Sequence, residues 1–219
     1  MGGDASLNGK GVDERGIPLK SDYPPLPIPV LYIGFTLVSL AISLGIAFAV
    51  YELGPTTKYD AKITLLASYD LGWVYLGLFV VKLALLSINI NLGISRQKSK
   101  VNVPDQQVYK VYTPEGSPSL GYVLMEKDGD LGRFNRAQRA LMVHLEQSPF
   151  FLVFFLLAGF VFPFPTFVTG CFYSVMRVTS AIGYTVAPQG RIAGNMLGSL
   201  GASLLDAFVI FAGFKALTA

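Results

Sequence analysis

The sequence predicts an all-α fold, a polytopic integral membrane helical bundle with about five transmembrane helices. Apolar residues make up 52% of the 219-residue chain and charged residues only 14%, against about 25% charged residues in an average soluble domain. The apolar residues also form long uncharged stretches separated by short polar segments. A bilayer imposes this pattern, because each crossing helix needs about 20 mainly apolar residues and must satisfy its own backbone.

A polar tail comes first, over residues 1–27. It is rich in glycine and then in proline, which predicts an extended chain rather than a helix. The tail carries several acidic residues and no early apolar run. Both features argue against a transit peptide or a cleavable signal peptide.

Apolar spans are predicted, in order, at residues 28–53, 71–94, 136–162, 166–187 and 194–216. Gly54 and Pro55 end the first span, and Pro188 ends the fourth. The segment FPFP, residues 162–165, predicts a sharp turn between the third and fourth spans, because its prolines remove two backbone donors.

A long basic segment, residues 96–135, separates the second span from the third. It is too long for a tight connection in a bundle, so a folded or capping loop is predicted. With five spans, twelve Lys and Arg residues fall on the face of this loop and three on the opposite face. The positive-inside rule then places the loop in the cytoplasm or an organellar equivalent.

Two polar stripes interrupt the apolar spans. The first comprises Arg136, Arg139, Val143 and Glu146, at helical spacing on one face. The second comprises Tyr173, Arg177, Ser180 and Tyr184, with Arg191 continuing the same register. Polar stripes inside a bilayer face the bundle or an interface.

Two interpretations of these stripes stay open. With Arg139, the second stripe could form an arginine-lined pocket for a carboxylate, which guanidinium groups bind in bidentate fashion. The structural alternative pairs Arg177 with Glu146, packs the tyrosines between helices and lets Arg136 snorkel.

Lys82 and Asp206 each lie near the middle of a predicted span. A lone charge there is costly, so a structural ion pair between them is predicted, and a proton path is the rival interpretation. His144, the only histidine, has no metal-ligand set around it and is read as a packing residue. No metal site, nucleotide loop or nucleic-acid-binding pattern is predicted.

A ridge of small residues, Gly190, Gly194, Gly198 and Ala202, recurs at every fourth position. Such a ridge lets two helix backbones approach closely. It predicts close packing and specifies no function.

The segments RFNRAQRA…HLEQSPF and GCFYSVMRVTSAIGY…GR resemble the MAPEG family, the membrane-associated proteins in eicosanoid and glutathione metabolism. SRQKSKVNVP, residues 95–104, is similar to the end of that family's first helix. The spacing is closest to the type 3 microsomal glutathione transferases and leukotriene synthases. The resemblance implies a MAPEG-like four-helix bundle over residues 71–219, with the helix at 28–53 as an N-terminal addition.

The resemblance also implies a glutathione site between subunits of a homotrimer. Matching the motifs position by position, the glutathione-binding residues fall on Arg96, Arg139, Glu146, Tyr184 and Arg191. Other motif positions differ, since the chain has Leu141, Val143, Gln147 and Ser180 where the family has other residue types. The basic residue that activates the thiol in the family falls on Gln97, so no catalytic residue is assigned.

Two functions therefore remain after the sequence is read. The first is a glutathione transferase or peroxidase acting on lipophilic substrates, with glutathione as the bound co-substrate. The second is a non-catalytic subunit of a larger respiratory or photosynthetic membrane complex that uses the same scaffold. The five matching polar residues favour the first function, whereas Gln97 and the added helix favour the second.

Overall fold

The computed structural model describes residues 11–13, 17–112 and 122–219. Its helices are α1 (Ile28–Leu53), α2 (Thr56–Ser68), α3 (Gly72–Ser99), α4 (Gly129–Val161), α5 (Pro163–Val186) and α6 (Ile192–Thr218). A short 3-10 turn, Pro188–Arg191, precedes α6. Strands β1 (Tyr109–Tyr112) and β2 (Tyr122–Met125) pair antiparallel between α3 and α4.

Among the described residues, four helical segments are long and apolar enough to cross a membrane. They are Ile28–Leu53, Gly72–Ser99, Gly129–Val161 and Pro188–Thr218. The fifth long helix, α5, has 24 residues and so measures about 36 Å. It packs against α3, α4 and α6, and most of its polar residues are buried. The predicted fold class, an all-α membrane bundle, is confirmed.

Aromatic rings and glycines form the centre of the bundle. Phe155 of α4 is fully buried, and its ring fits between Gly77 of α3 and Gly170 of α5. A Cβ added to either glycine would lie 2.5 Å from that ring. Phe151, one turn earlier, stacks on Tyr173 with ring centroids 3.8 Å apart. Glycine at these two positions therefore brings α3, α4 and α5 together around one side chain.

The predicted ridge of small residues on α6 packs on α5. A Cβ on Gly194 would lie 2.7 Å from the backbone nitrogen of Ser180, and one on Gly198 would lie 3.3 Å from Cδ of Arg177. Gly190, in the turn before α6, lies against Gly183 of α5, and a Cβ built on either glycine would overlap the carbonyl oxygen of the other. This close approach fixes where the turn places Arg191.

α1 stands apart from the bundle. Within this helix, which the structure describes in full, Ile28 is the one buried residue. The methyl Cγ2 of Ile28 would be 2.8 Å from a Cβ on Gly93 of α3, so the first turn of α1 packs closely on α3. Beyond that turn, the surface of α1 is largely exposed.

Several predicted boundaries need correction. α3 continues to Ser99 and α4 begins at Gly129, so the predicted loop 96–135 is shorter at both ends. Lys100, in the left-handed conformation at φ 58°, ends α3. Phe162 alone separates α4 from α5, because proline is accepted in the first turn of a helix.

The connection between α3 and α4 is folded around one buried side chain. Asn135, 2% exposed, accepts a hydrogen bond from the backbone nitrogen of Val108 at 2.9 Å. Its amide donates to the carbonyl oxygens of Val108 at 2.7 Å and Glu126 at 2.9 Å. Asn135, in the second turn of α4, thus holds residues on both sides of the β hairpin.

Candidate functional site

Arg96, in the last turn of α3, points into the protein. It is 8% exposed, and its Nη1 donates to the carbonyl oxygens of Val101 (3.1 Å), Asn102 (3.2 Å) and Asp105 (2.7 Å). Its guanidinium carbon lies 4.8 Å from the ring centroid of Phe134. Arg96 therefore organises the segment that follows α3. Its Nε and Nη2 make no hydrogen bond within the described part of the chain.

Gln97 binds the N-terminal tail. Its Nε2 donates to the carbonyl oxygens of Pro24 and Leu26, each at 3.1 Å. Asn102 adds two contacts, donating to the carbonyl of Lys20 at 3.1 Å and accepting from the backbone nitrogen of Asp22 at 2.9 Å. Gln97, the position that the resemblance matches to the family's basic, thiol-activating residue, thus holds the N-terminal tail of this chain.

Arg139 and Glu146 meet on the surface of α4. Nη1 of Arg139 lies 2.8 Å from Oε1 of Glu146, and the two side chains are 39% and 54% exposed. The expected alternative partner of Glu146, Arg177, instead donates from Nη1 to Oδ1 of Asn195 at 2.8 Å. The structural alternative, in which Arg177 pairs with Glu146, is therefore wrong.

Tyr184 and Arg191 come together at one end of a cavity of about 400 Å³ between α4, α5 and α6. The guanidinium carbon of Arg191 lies 4.9 Å from the ring centroid of Tyr184, a cation–π geometry. Arg191 is exposed and Tyr184 half-buried. This cavity lies at the same end of the bundle as the β hairpin, because Arg136 links the backbone of Lys127 to that of Thr185.

Arg177 and Ser180 line the deeper part of this cavity, together with Asn195. Arg177 is 5% exposed and Ser180 is 7% exposed, and the hydroxyl of Ser180 donates to the carbonyl of Arg191 at 3.2 Å. Arg177, Ser180, Tyr184 and Arg191 of the second sequence stripe thus line one cavity, whereas Tyr173 lines the neighbouring one. Asn195 had no signal in the sequence, because a single asparagine at the start of an apolar span is common.

The predicted glutathione-binding set is divided between separate places. Tyr184 and Arg191 share the 400 Å³ cavity. Glu146 instead lines a neighbouring cavity of about 480 Å³, which Asp206 also lines. Arg96 and Arg139 line neither cavity.

Lys82 and Asp206 do not form the predicted ion pair. Lys82 lines a groove between α1 and α3, whereas Asp206 leaves α6 toward α4 and α5. Both side chains are exposed on the surface of the bundle. The two side chains leave their helices on different faces of the bundle.

Comparison with known proteins agrees with this architecture. The family model described as MAPEG family matches residues 72–211. A search of curated proteins found no match. The matched region begins at the first residue of α3 and includes the helices α4 and α5, the turn with Arg191 and most of α6. Since the match covers well over half of the chain, this protein belongs to the MAPEG family.

Proposed function

We propose that this chain binds glutathione and uses it as a membrane transferase or peroxidase toward lipophilic substrates, as in the type 3 microsomal branch of its family. The observation that carries this proposal is the cavity in which Tyr184 and Arg191 meet, with Arg177 at its inner wall. Glutathione carries two carboxylates and one ammonium group. Arginine is the side chain best suited to bind carboxylates.

The glutathione site would combine the cavity that holds Arg191 and Tyr184 with the Arg139–Glu146 pair on α4, at the end of the bundle that carries the basic loop. Arg191 is exposed and holds a carboxylate at the mouth of the cavity, beside the Tyr184 hydroxyl. The Arg139–Glu146 pair can exchange its internal contact for two external ones, since Glu146 suits the ammonium and Arg139 a second carboxylate. Arg96 would contribute only through the two nitrogens that do not bind the loop.

Thiol activation requires a cation close to the sulfur, because a positive charge favours the thiolate that attacks the electrophile. Gln97 carries no charge and donates to the tail. The cations that line the cavity are Arg177 and Arg191, and one of them would have to serve. The basic loop faces the cytoplasm or its organellar equivalent in this proposal, where glutathione is available.

A second candidate function is that of a non-catalytic subunit in a larger membrane complex. The tail bound to Gln97 and Asn102 favours it, as does the exposed surface of α1. Under this proposal the partners are other membrane proteins, whereas the first proposal expects a homotrimer.

Calorimetric titration of the purified protein with glutathione tests the first proposal. Saturable binding should weaken by about tenfold to a hundredfold in Arg191→Ala and in Arg139→Ala, the usual range for a lost charge-assisted hydrogen bond. Arg133→Ala is the matched control, because Arg133 is exposed on the same end of α4 and lines neither cavity. Absence of binding at millimolar glutathione would favour the subunit function.

A further inference from the structure

Arg177 is a buried cation without a carboxylate partner. It is 5% exposed, on a helix that lies inside the membrane bundle. Its polar contact in the described chain is the neutral amide of Asn195, at 2.8 Å. Its Nε makes no hydrogen bond although it is buried.

The surroundings of Arg177 do not neutralise its charge. The ring centroid of Tyr173 lies 6.0 Å from the guanidinium carbon, and the neighbouring His144 is buried with no partner for Nδ1. The carboxylate of Glu146 is engaged by Arg139. A buried charge is strongly disfavoured unless an opposite charge or a full set of hydrogen bonds compensates it.

The side chain also has room to receive a ligand. Arg177 lines the 400 Å³ cavity together with Ser180 and Asn195. Gly198 of α6 makes this possible, because the stem of Arg177 passes over it, with Cδ 3.3 Å from the position of a Cβ. Arg191 lies at the outer part of the same cavity, so two arginines are set at different depths.

We propose that Arg177 and Asn195 form a carboxylate-binding subsite inside the bundle, distinct from the Arg191 site at the mouth. The guanidinium binds the carboxylate, and the Asn195 amide, whose oxygen already faces Nη1, holds the guanidinium toward the cavity. The inference rests on the proposed function for one of its two possible ligands. The carboxylate belongs either to a fatty acid entering from the bilayer or to glutathione, whose second carboxylate Arg177 would then hold in place of Arg139.

Asn195→Asp is the decisive variant. It places a carboxylate at the position of the amide oxygen, 2.8 Å from Nη1 of Arg177. The variant thus carries its own carboxylate partner for Arg177 in place of the carboxylate of the ligand. The ligand-free variant should melt about 2 °C or more above the wild type, and it should bind a carboxylate ligand at least about tenfold more weakly. Arg177→Gln combined with Asn195→Asp is the control, and it should show no rise in melting temperature.

Calorimetry on the full chain in detergent would use four probes. They are glutathione, its glycine-carboxyl monoethyl ester, oleic acid and methyl oleate. If Asn195→Asp weakens the binding of glutathione alone, the tripeptide is the source of the carboxylate. If it weakens the binding of oleic acid alone, the source is the bilayer. Methyl oleate should bind the wild type and Asn195→Asp equally. The glutathione ester should do so too if Arg177 holds the glycine carboxylate, whereas weaker binding of the ester by Asn195→Asp assigns the γ-glutamyl carboxylate to Arg177.

The subsite is disproved if Asn195→Asp fails to raise the melting temperature, if it binds both acids as the wild type does, or if the wild type binds neither acid. Failure of the proposed function has another signature. Glutathione then fails to bind the wild type while oleic acid binds and is sensitive to Asn195→Asp.

Discussion

Nε2 of Gln97 lies 3.1 Å from the carbonyl oxygen of Leu26, joining the last turn of α3 to the residue that precedes α1 by two positions. The same nitrogen donates to the carbonyl of Pro24. One neutral side chain therefore holds a proline-rich segment that has few backbone donors of its own.

Gln97→Ala should release the tail. Both side-chain hydrogen bonds from Gln97 to the tail are lost, so trypsin should cleave after Lys20 several times faster than in the wild type, because cleavage needs a locally open chain. Limited proteolysis followed by mass spectrometry measures the rate. Gln106→Ala is the matched control, since Gln106 is exposed. Equal rates in all three proteins would show that the contacts of Asn102 with Lys20 and Asp22 hold the cleavage site without Gln97.

The loss of stability caused by glycine-to-alanine changes on α6 should depend on the space around each added Cβ. Gly194→Ala should lower the stability by about 1–3 kcal/mol, the usual cost of overpacking, because its Cβ would meet the rigid backbone of Ser180 at 2.7 Å. Gly198→Ala should cost less, since the flexible side chain of Arg177 can move away from its Cβ. Thermal unfolding in detergent measures both.

Gly45→Ala on α1 is the control for this series. Nothing lies within 4 Å of its Cβ, and alanine is the better helix former by about 1 kcal/mol. It should leave the melting temperature unchanged or raise it. A loss in Gly45→Ala as large as that in Gly194→Ala would contradict the packing argument.

Glu146→Gln should separate ligand binding from stability. The Arg139–Glu146 pair is partly exposed, at 39% and 54%, so its loss should change the stability by about 1 kcal/mol or less. Glutathione affinity should nevertheless fall by about tenfold, because an amide cannot replace the carboxylate opposite the ammonium group.

The exchange variant Arg139→Glu with Glu146→Arg tests the same site from the other direction. It restores the intrahelical pair and should melt as the wild type does, but it reverses both ligand contacts and should bind no glutathione in the titration. Binding equal to that of the wild type would place the ligand elsewhere.

Lys82→Met and Asp206→Asn should have additive effects on stability. The two residues line different grooves, and the effects of distant mutations add within about 0.5 kcal/mol. Thermal or chemical unfolding of both single variants and the double variant gives the coupling energy. A coupling clearly above that limit would mean that the two charges interact, within the chain or between copies.

The sequence was sufficient to predict the helices of the bundle because the bilayer leaves few alternatives. Uncharged runs of the required length must be helical, and proline and glycine mark where they end. α2 was missed for the same reason, since its segment TTKYDAKITLLAS has neither the length of a span nor a continuous apolar face.

The candidate site was predicted less completely. Spacing along α5 placed Arg177, Ser180 and Tyr184 on one face, and this face does line a cavity. Spacing within one helix cannot give the rotation of one helix against another, which decides whether Lys82 and Asp206 meet. It also cannot show that Asn135 binds Val108, 27 positions earlier, because that contact depends on how the loop folds.

The exposed surface of α1 means that hydrocarbon, rather than protein, is its packing partner in the monomer over most of its length. Its first turn packs closely on α3, where Ile28 meets Gly93, and its last turn contacts α2, where Tyr51 stacks on Tyr59 and donates to Asp60. With 26 residues, the helix is about 39 Å long, longer than the roughly 30 Å hydrocarbon core. The helix is therefore long enough to cross with some tilt, and a change in that tilt changes the width of the groove that Lys82 lines.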